Sequence, residues 1–164
     1  MTLLAIPLLR RDQRGAAVIE LALALPILSA LVIGMSDMAR AYSLKLQLEQ
    51  AAQRAIEQVE QQKSVAASYN TAVTAEATSA MTDLGYTTGN TITPDSWVEC
   101  SSNGTTWTRQ TNFGDPCGAT QTTSRYVSVV ISRHYSPLFA SRAWPNANAD
   151  GTLTVAGYAE LRIQ

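Results

Sequence analysis

The chain holds one histidine, two cysteines and two lysines in 164 residues, and charged side chains make up only 15% of it. Each scarcity excludes something. One imidazole (His134) and two thiols cannot supply the four ligands of a structural metal site. The chain also lacks a glycine-rich phosphate loop and a nucleophile elbow. His134 follows Arg133 inside a β-patterned stretch, where a place on a sheet surface is expected rather than catalysis. The reading is therefore a protein that is not an enzyme, with no catalytic residue, no metal and no cofactor. After residue 15 no basic cluster occurs, so nucleic acid is not an expected partner.

What the chain does have is a membrane-length apolar run. Residues 16–35 are apolar or small except for Glu20, and at about 1.5 Å per residue they span the ~30 Å hydrocarbon core. Arg10, Arg11 and Arg14 precede the run against a single Asp12. The positive-inside rule then places the N-terminus in the cytoplasm and everything after Met35 across the membrane. Pro26 costs about 3 kcal/mol in an ordinary helix interior. In a membrane helix it is tolerated where neighbouring groups satisfy the freed carbonyl, so a kink or local adjustment is expected there, not a helix end.

Glu20 is the informative residue. A charge at the centre of a lipid-facing helix costs roughly 2.5–3.5 kcal/mol or more and needs a partner. Cleavage between Gly15 and Ala16 would create one. The new α-amine of Ala16, on the same chain or on a neighbour in a filament, can neutralise Glu20, and this is the logic of a prepilin. Two other readings compete. A secretory signal would use the small-x-small triplet Ala39-Arg40-Ala41, but signal cores run about 7–15 residues and do not enclose a carboxylate. An unprocessed single-pass anchor has no need of Glu20 at all.

Beyond Met35 the pattern turns amphipathic without a break. Tyr42, Leu44, Leu48, Ala51, Ala52, Ala55, Ile56 and Val59 fall at helical spacing, with Glu49, Gln53, Arg54, Glu57 and Glu60 largely opposite. This predicts one helix over 16–63, some 70 Å long, whose first part (16–35) is transmembrane and whose second part packs on a soluble domain. A second helix is expected over 67–84, stopped by Gly85.

From there the residues favour β-structure. Residues 97–102 and 105–109 flank Asn103-Gly104, which predicts a hairpin with a two-residue type I′ turn. A loop is expected over 111–121. Residues 124–135 form the strongest strand pattern, and 152–163 read as a last strand antiparallel to it. The fold class is α+β: a long N-terminal membrane-spanning helix continuing into a small soluble domain with a second helix and an antiparallel β-sheet. The divisions are a leader at 1–15, the helix at 16–63 and a periplasmic or extracellular domain at 64–164. Cys100 and Cys117 both lie on the exported side, where an even count favours a disulfide. Asn146 to Gly151 matches the first half of a calcium loop, but Gly157 stands where the pattern asks for Glu; a polar loop entering the last strand is the better reading.

Residues 10–62 resemble the TadE-like minor pseudopilins of the tight-adherence (Tad/Flp) branch of type IV pili. The resemblance rests on Arg14-Gly15-Ala16-Ala17-Val18-Ile19-Glu20, on the apolar run with Pro26, and on Gly34-Met35-Ser36-Asp37-Met38-Ala39-Arg40-Ala41-Tyr42. More loosely, residues 126–139 and Glu160-Leu161-Arg162 resemble the family's usual finish. Leu21 follows Glu20 where the major Flp pilins carry Tyr and TadE-like proteins often Phe. That departure, and the large C-terminal domain, argue against a major pilin.

The resemblance implies cleavage by a prepilin peptidase after Gly15, with Glu20 at the fifth mature position. It also implies residence in the bacterial inner membrane, entry into an extracellular pilus, and a role in surface adherence. Its implied partners are other pilins, the peptidase, the inner-membrane assembly platform and membrane lipid. Two alternatives are carried. One is a membrane-anchored or secreted adhesin whose Trp97, Trp107 and Trp144 form a ligand surface. The other is a type II secretion pseudopilin, which would normally begin with Phe where this chain has Ala16.

Overall fold

The computed structural model describes residues 13–61, 69–110, 113, 117–138 and 144–163. Six elements follow in order: α1 (Gln13–Gln61), α2 (Tyr69–Asp83), β1 (Asn90–Ser101), β2 (Thr108–Gln110), β3 (Thr122–Tyr135) and β4 (Leu153–Arg162). The strands make one antiparallel sheet in the order β2-β1-β3-β4, and both helices cover one of its faces. The architecture is α+β, as expected from the sequence.

α1 is one helix of 49 residues, about 73 Å at the usual rise. It runs through Pro26. Two hydroxyls in its apolar part are satisfied locally: Ser29 Oγ donates to the Pro26 carbonyl and Ser36 Oγ to that of Val32, both at 2.9 Å. Its second half buries Leu44, Leu48, Ala51, Ala52, Ala55, Ile56 and Val59 against the sheet and α2. Tyr42 departs from the expected stripe, being 63% exposed. The end of the expected helix at 62–63 lies outside the described residues.

α2 buries Tyr69, Val73, Ala77, Ala80 and Met81, one face at helical spacing. On its exposed side Thr74, Thr78 and Thr82 each donate to the carbonyl four residues back, which satisfies hydroxyls that would otherwise compete with the helix ladder. Its end is a Schellman motif. Gly85 takes φ +83°, its N–H bonds to Thr82 O at 2.9 Å, and Tyr86 N–H bonds to Met81 O at 2.8 Å.

The sheet corrects two expectations. β1 begins at Asn90, seven residues before Trp97, and runs through Pro94. Proline is tolerated because β2 pairs only with residues 98–100 of β1, leaving an open edge beside Pro94. The hairpin turn is also longer than two residues: Cys100 pairs with Thr108. Gly104 has φ +73°, but Asn103 does not adopt the positive φ that a type I′ turn demands. Instead the Asn103 side-chain oxygen accepts from Thr105 N and Thr106 N at 3.0 and 2.8 Å. An Asx turn has displaced the tight hairpin.

Alternation sorts the sheet residues. Val98, Cys100, Val127, Val129, Ile131 and Ala159 face the helices. Trp97, paired with Tyr126, points to the other face together with Asp95 and Arg109. The Cys100–Cys117 disulfide, with Cα atoms 5.6 Å apart, ties the inward face of β1 to the segment carrying Phe113. Phe113 in turn meets Tyr69 edge-on at 5.4 Å.

Candidate functional site

Among the described residues nothing packs against the apolar first half of α1. Val18, Ile19, Leu21, Leu23, Leu25, Ile27, Leu28, Leu31 and Val32 are all more than half exposed, and the apolar window of the helix has no buried share. Leaving so many large aliphatic side chains in water is unfavourable at roughly 25 cal/mol per Å². A surface of this kind belongs against lipid or other apolar helices, which marks α1 as a membrane anchor.

Glu20 projects from this surface, exposed, and among the described residues it has no hydrogen-bond or ion-pair partner. It lies one helical turn after Ala16, so the i and i+4 positions share a face about 6 Å apart. Gly15 is also exposed, in the first turn of α1, and a Cβ added there would meet nothing within 4 Å.

At the other end of the apolar run the helix is fastened to the sheet. Asp37 is 1% exposed. Its Oδ1 accepts 2.9 Å hydrogen bonds from Tyr135 Oη and from the Leu138 backbone N–H. Burial, and then the bond to this carboxylate, push the Tyr135 phenol above its ordinary value of 10.0. The bonds cross some hundred residues of sequence and fix where the membrane helix leaves the globular part. The signal for Asp37 was an acidic residue two positions past the apolar run, but nothing local says which strand end answers it.

The three tryptophans do not make one surface. Trp97 is 7% exposed, stacked on Tyr126 with centroids 5.4 Å apart and covered by Arg109 at 4.1 Å. Trp107 lies near Arg162, the residue that pairs with Tyr126 at one end of the β3–β4 ladder. Trp144 lies in the turn before β4, whose Leu153 pairs with Tyr135 at the opposite end. Nine residues of strand, about 30 Å, separate those ends.

The 146–151 turn is closed on itself. Asp150 Oδ1 accepts from Thr152 N and Oγ1, and Asn148 Nδ2 reaches His134 Nδ1, Thr152 Oγ1 and Thr154 Oγ1. The bonds from Thr152 hold the Asp150 carboxyl below its usual range. Among the described residues no group of three or more His, Cys, Asp or Glu side chains is arranged to hold a metal ion.

The geometry thus defines a class: a small α+β domain carried on one long helix whose N-terminal half is an unburied apolar anchor. Residues 15–56 match the family model described as TadE-like protein. The match lies within α1, over the stretch whose residues gave the resemblance. No curated protein and no solved structure gives a significant match.

Proposed function

We propose that the protein is a minor pilin or pseudopilin that a prepilin peptidase cleaves after Gly15 and that acts in assembly of a Tad-type pilus for surface adherence. The observation that carries this reading is Glu20: a carboxylate on an otherwise apolar, unburied helix, one turn from the amine that cleavage at Ala16 would create. In this reading residues 1–15 are a cytoplasmic leader. Residues 16–35 cross the inner membrane, and 64–164 form the periplasmic domain, later carried in or on the filament. Assembly brings the apolar helices of neighbouring subunits together. There Glu20 meets the Ala16 amine of a neighbour, or its own, in a medium where an unpaired charge is expensive. Its partners are other pilins, the peptidase and the inner-membrane assembly platform.

Intact mass and N-terminal sequence of the protein from a membrane fraction of its native host test the reading. A start at Ala16 is expected; a start at Met1 or at Tyr42 would overturn it. A Glu20→Ala chain should insert into the membrane normally and fail to co-purify with other pilins, and unchanged co-purification would remove the role given to Glu20.

A further inference from the structure

A cleft of about 350 Å³ opens between α1 and the end of the sheet nearest the apolar run. Arg40, Ser43 and Gln47 stand on its helix side and Arg133, His134 and Ser136 on its sheet side. No residue lining it is acidic. Two carboxylates of the surrounding segments are hydrogen-bonded within the fold: Asp37 accepts from Tyr135, itself a lining residue, and from Leu138, and Asp150 from Thr152.

Arg133 is held in place before any ligand arrives. Its Nη1 donates to Thr88 O and to Asn90 Oδ1, the latter at 2.8 Å, and its guanidinium lies 4.6 Å from the Tyr86 ring centroid. Tyr86 is itself fixed by a 2.8 Å bond from its Oη to Gln47 Oε1. One guanidinium nitrogen is thus committed to the fold, while Nε and Nη2 keep their donors. His134 turns its Nδ1 to Asn148 Nδ2 and Thr152 Oγ1, both at 3.1 Å, on the side of the turn before β4. Arg40 is exposed and makes no hydrogen bond among the described residues. Two guanidiniums, two hydroxyls and the Gln47 amide line one space. That donor set matches a tetrahedral oxyanion.

We propose that this cleft binds a phosphate group, and that the phosphate is the headgroup of a membrane glycerophospholipid. The assignment to lipid comes from depth. Arg40 lies five residues past Met35, about 7.5 Å along the helix, and the headgroup layer on each side of the hydrocarbon core is about 5–8 Å thick. The site rests on the membrane placement of α1, but not on cleavage after Gly15 or on filament assembly. Its consequence is a second anchor, which sets the height and rotation of the globular domain over the bilayer.

The test uses the full chain in dodecyl maltoside micelles doped with either phosphatidylglycerol or the phosphate-free lipid diglucosyl diacylglycerol, with bound lipid counted by native mass spectrometry. One phosphatidylglycerol per chain should be retained and no glycolipid. Arg40→Gln and Arg133→Gln should each weaken retention about tenfold, whereas Arg109→Gln, on the far face of the sheet, should leave it unchanged. Equal retention of both lipids, or wild-type retention by Arg40→Gln, would overturn the site. Arg40 makes no hydrogen bond among the described residues, so that variant remains decisive if Arg133→Gln is unstable. Binding of inorganic phosphate without lipid retention would overturn the lipid assignment and give the cleft to a soluble phosphate. A protein that starts at Met1 yet retains lipid would sink the pilin reading and leave this site standing.

Discussion

Gly157 of β4 lies directly against the peptide that joins Leu48 to Glu49 in α1: a Cβ built on the glycine would sit 2.3 Å from the Leu48 carbonyl carbon and 2.4 Å from the Glu49 nitrogen. Both obstacles are backbone, so no rotamer change relieves them. The missing side chain is what lets the helix settle onto the strand, with Leu48 fully buried beside it. It also explains why the calcium pattern that begins at Asn146 breaks at its twelfth position.

Gly157→Ala should therefore lift α1 from the sheet and destabilise the domain by about 3 kcal/mol, the upper range for overpacking. Gly118→Ala is the control. Its added Cβ would meet only the Gln121 side chain, at 3.3 Å, a flexible end that can shift at the cost of its one 2.9 Å bond from Gly118 N–H. Denaturant unfolding of both full-length variants in detergent checks this. A Gly157→Ala midpoint equal to that of Gly118→Ala would mean that the helix is not seated as described.

The Asp37–Tyr135 bond makes a pH-dependent prediction. The Tyr135 phenol is raised above 10.0, by burial first and by Asp37 second. A raised value means that the fold favours the neutral phenol. Its contribution is complete below pH 10 and is lost as pH climbs through the raised value. Tyr158, raised by its bond to Glu160, adds to the same alkaline loss. Tyr135→Phe should cost about 1 kcal/mol near neutrality, the net worth of one hydrogen bond, and should flatten the decline above pH 10. Asp37→Ala should cost more, about 2–3 kcal/mol, because it leaves the Tyr135 hydroxyl and the Leu138 N–H without their acceptor. Thermal unfolding of the three chains between pH 7 and pH 11 reads both effects.

Much of this fold was legible in the sequence because long periodic segments carry their own evidence. The unbroken pattern from Asp37 to Val59 specified a continuous helix, and the alternating residues 124–135 specified a strand. What was not legible depended on distant partners. Asn103-Gly104 has the composition of a tight turn, yet the Asn103 carbonyl found local N–H groups, and the turn widened. The sequence pattern begins the hairpin at Trp97, yet β1 starts at Asn90 and passes through Pro94, because β2 is too short to reach that edge. Tyr42 stands two residues before Leu44, roughly 200° of helix rotation away, so it faces outward although the cover reaches back to Asp37. The Arg40–Arg133 cleft joins residues 93 apart with no shared motif, so only the fold brings them together.

An ion pair supplies a contrasting case. Arg54 Nη1 lies 2.8 Å from Asp83 Oδ2 and links α1 to the end of α2, but both side chains are about half exposed. Exposed pairs contribute at most a few tenths of a kcal/mol up to about 1. Asp83→Ala should shift the unfolding midpoint far less than Gly157→Ala, and the shift should shrink further in 1 M salt. A loss comparable to that of Asp37→Ala would mean that the two helices depend on this pair.

The disulfide should matter more than any surface charge. Cys100 and Cys117 are 17 residues apart, and closing a loop of that size removes unfolded-state entropy worth about 3 kcal/mol. The bridge also has a local task. It holds the segment that carries Phe113, whose ring meets Tyr69 at the first residue of α2. Reduction, or paired Cys100→Ser and Cys117→Ser substitution, should lower the stability of the whole domain by about that amount. It should also increase hydrogen exchange at the start of α2 before it does so in β3, whose Val127, Val129 and Ile131 are buried whether or not the bridge is present. Uniform loss of protection across α2 and β3 would show that the bridge acts through the unfolded chain alone and that the Phe113–Tyr69 contact does not depend on it.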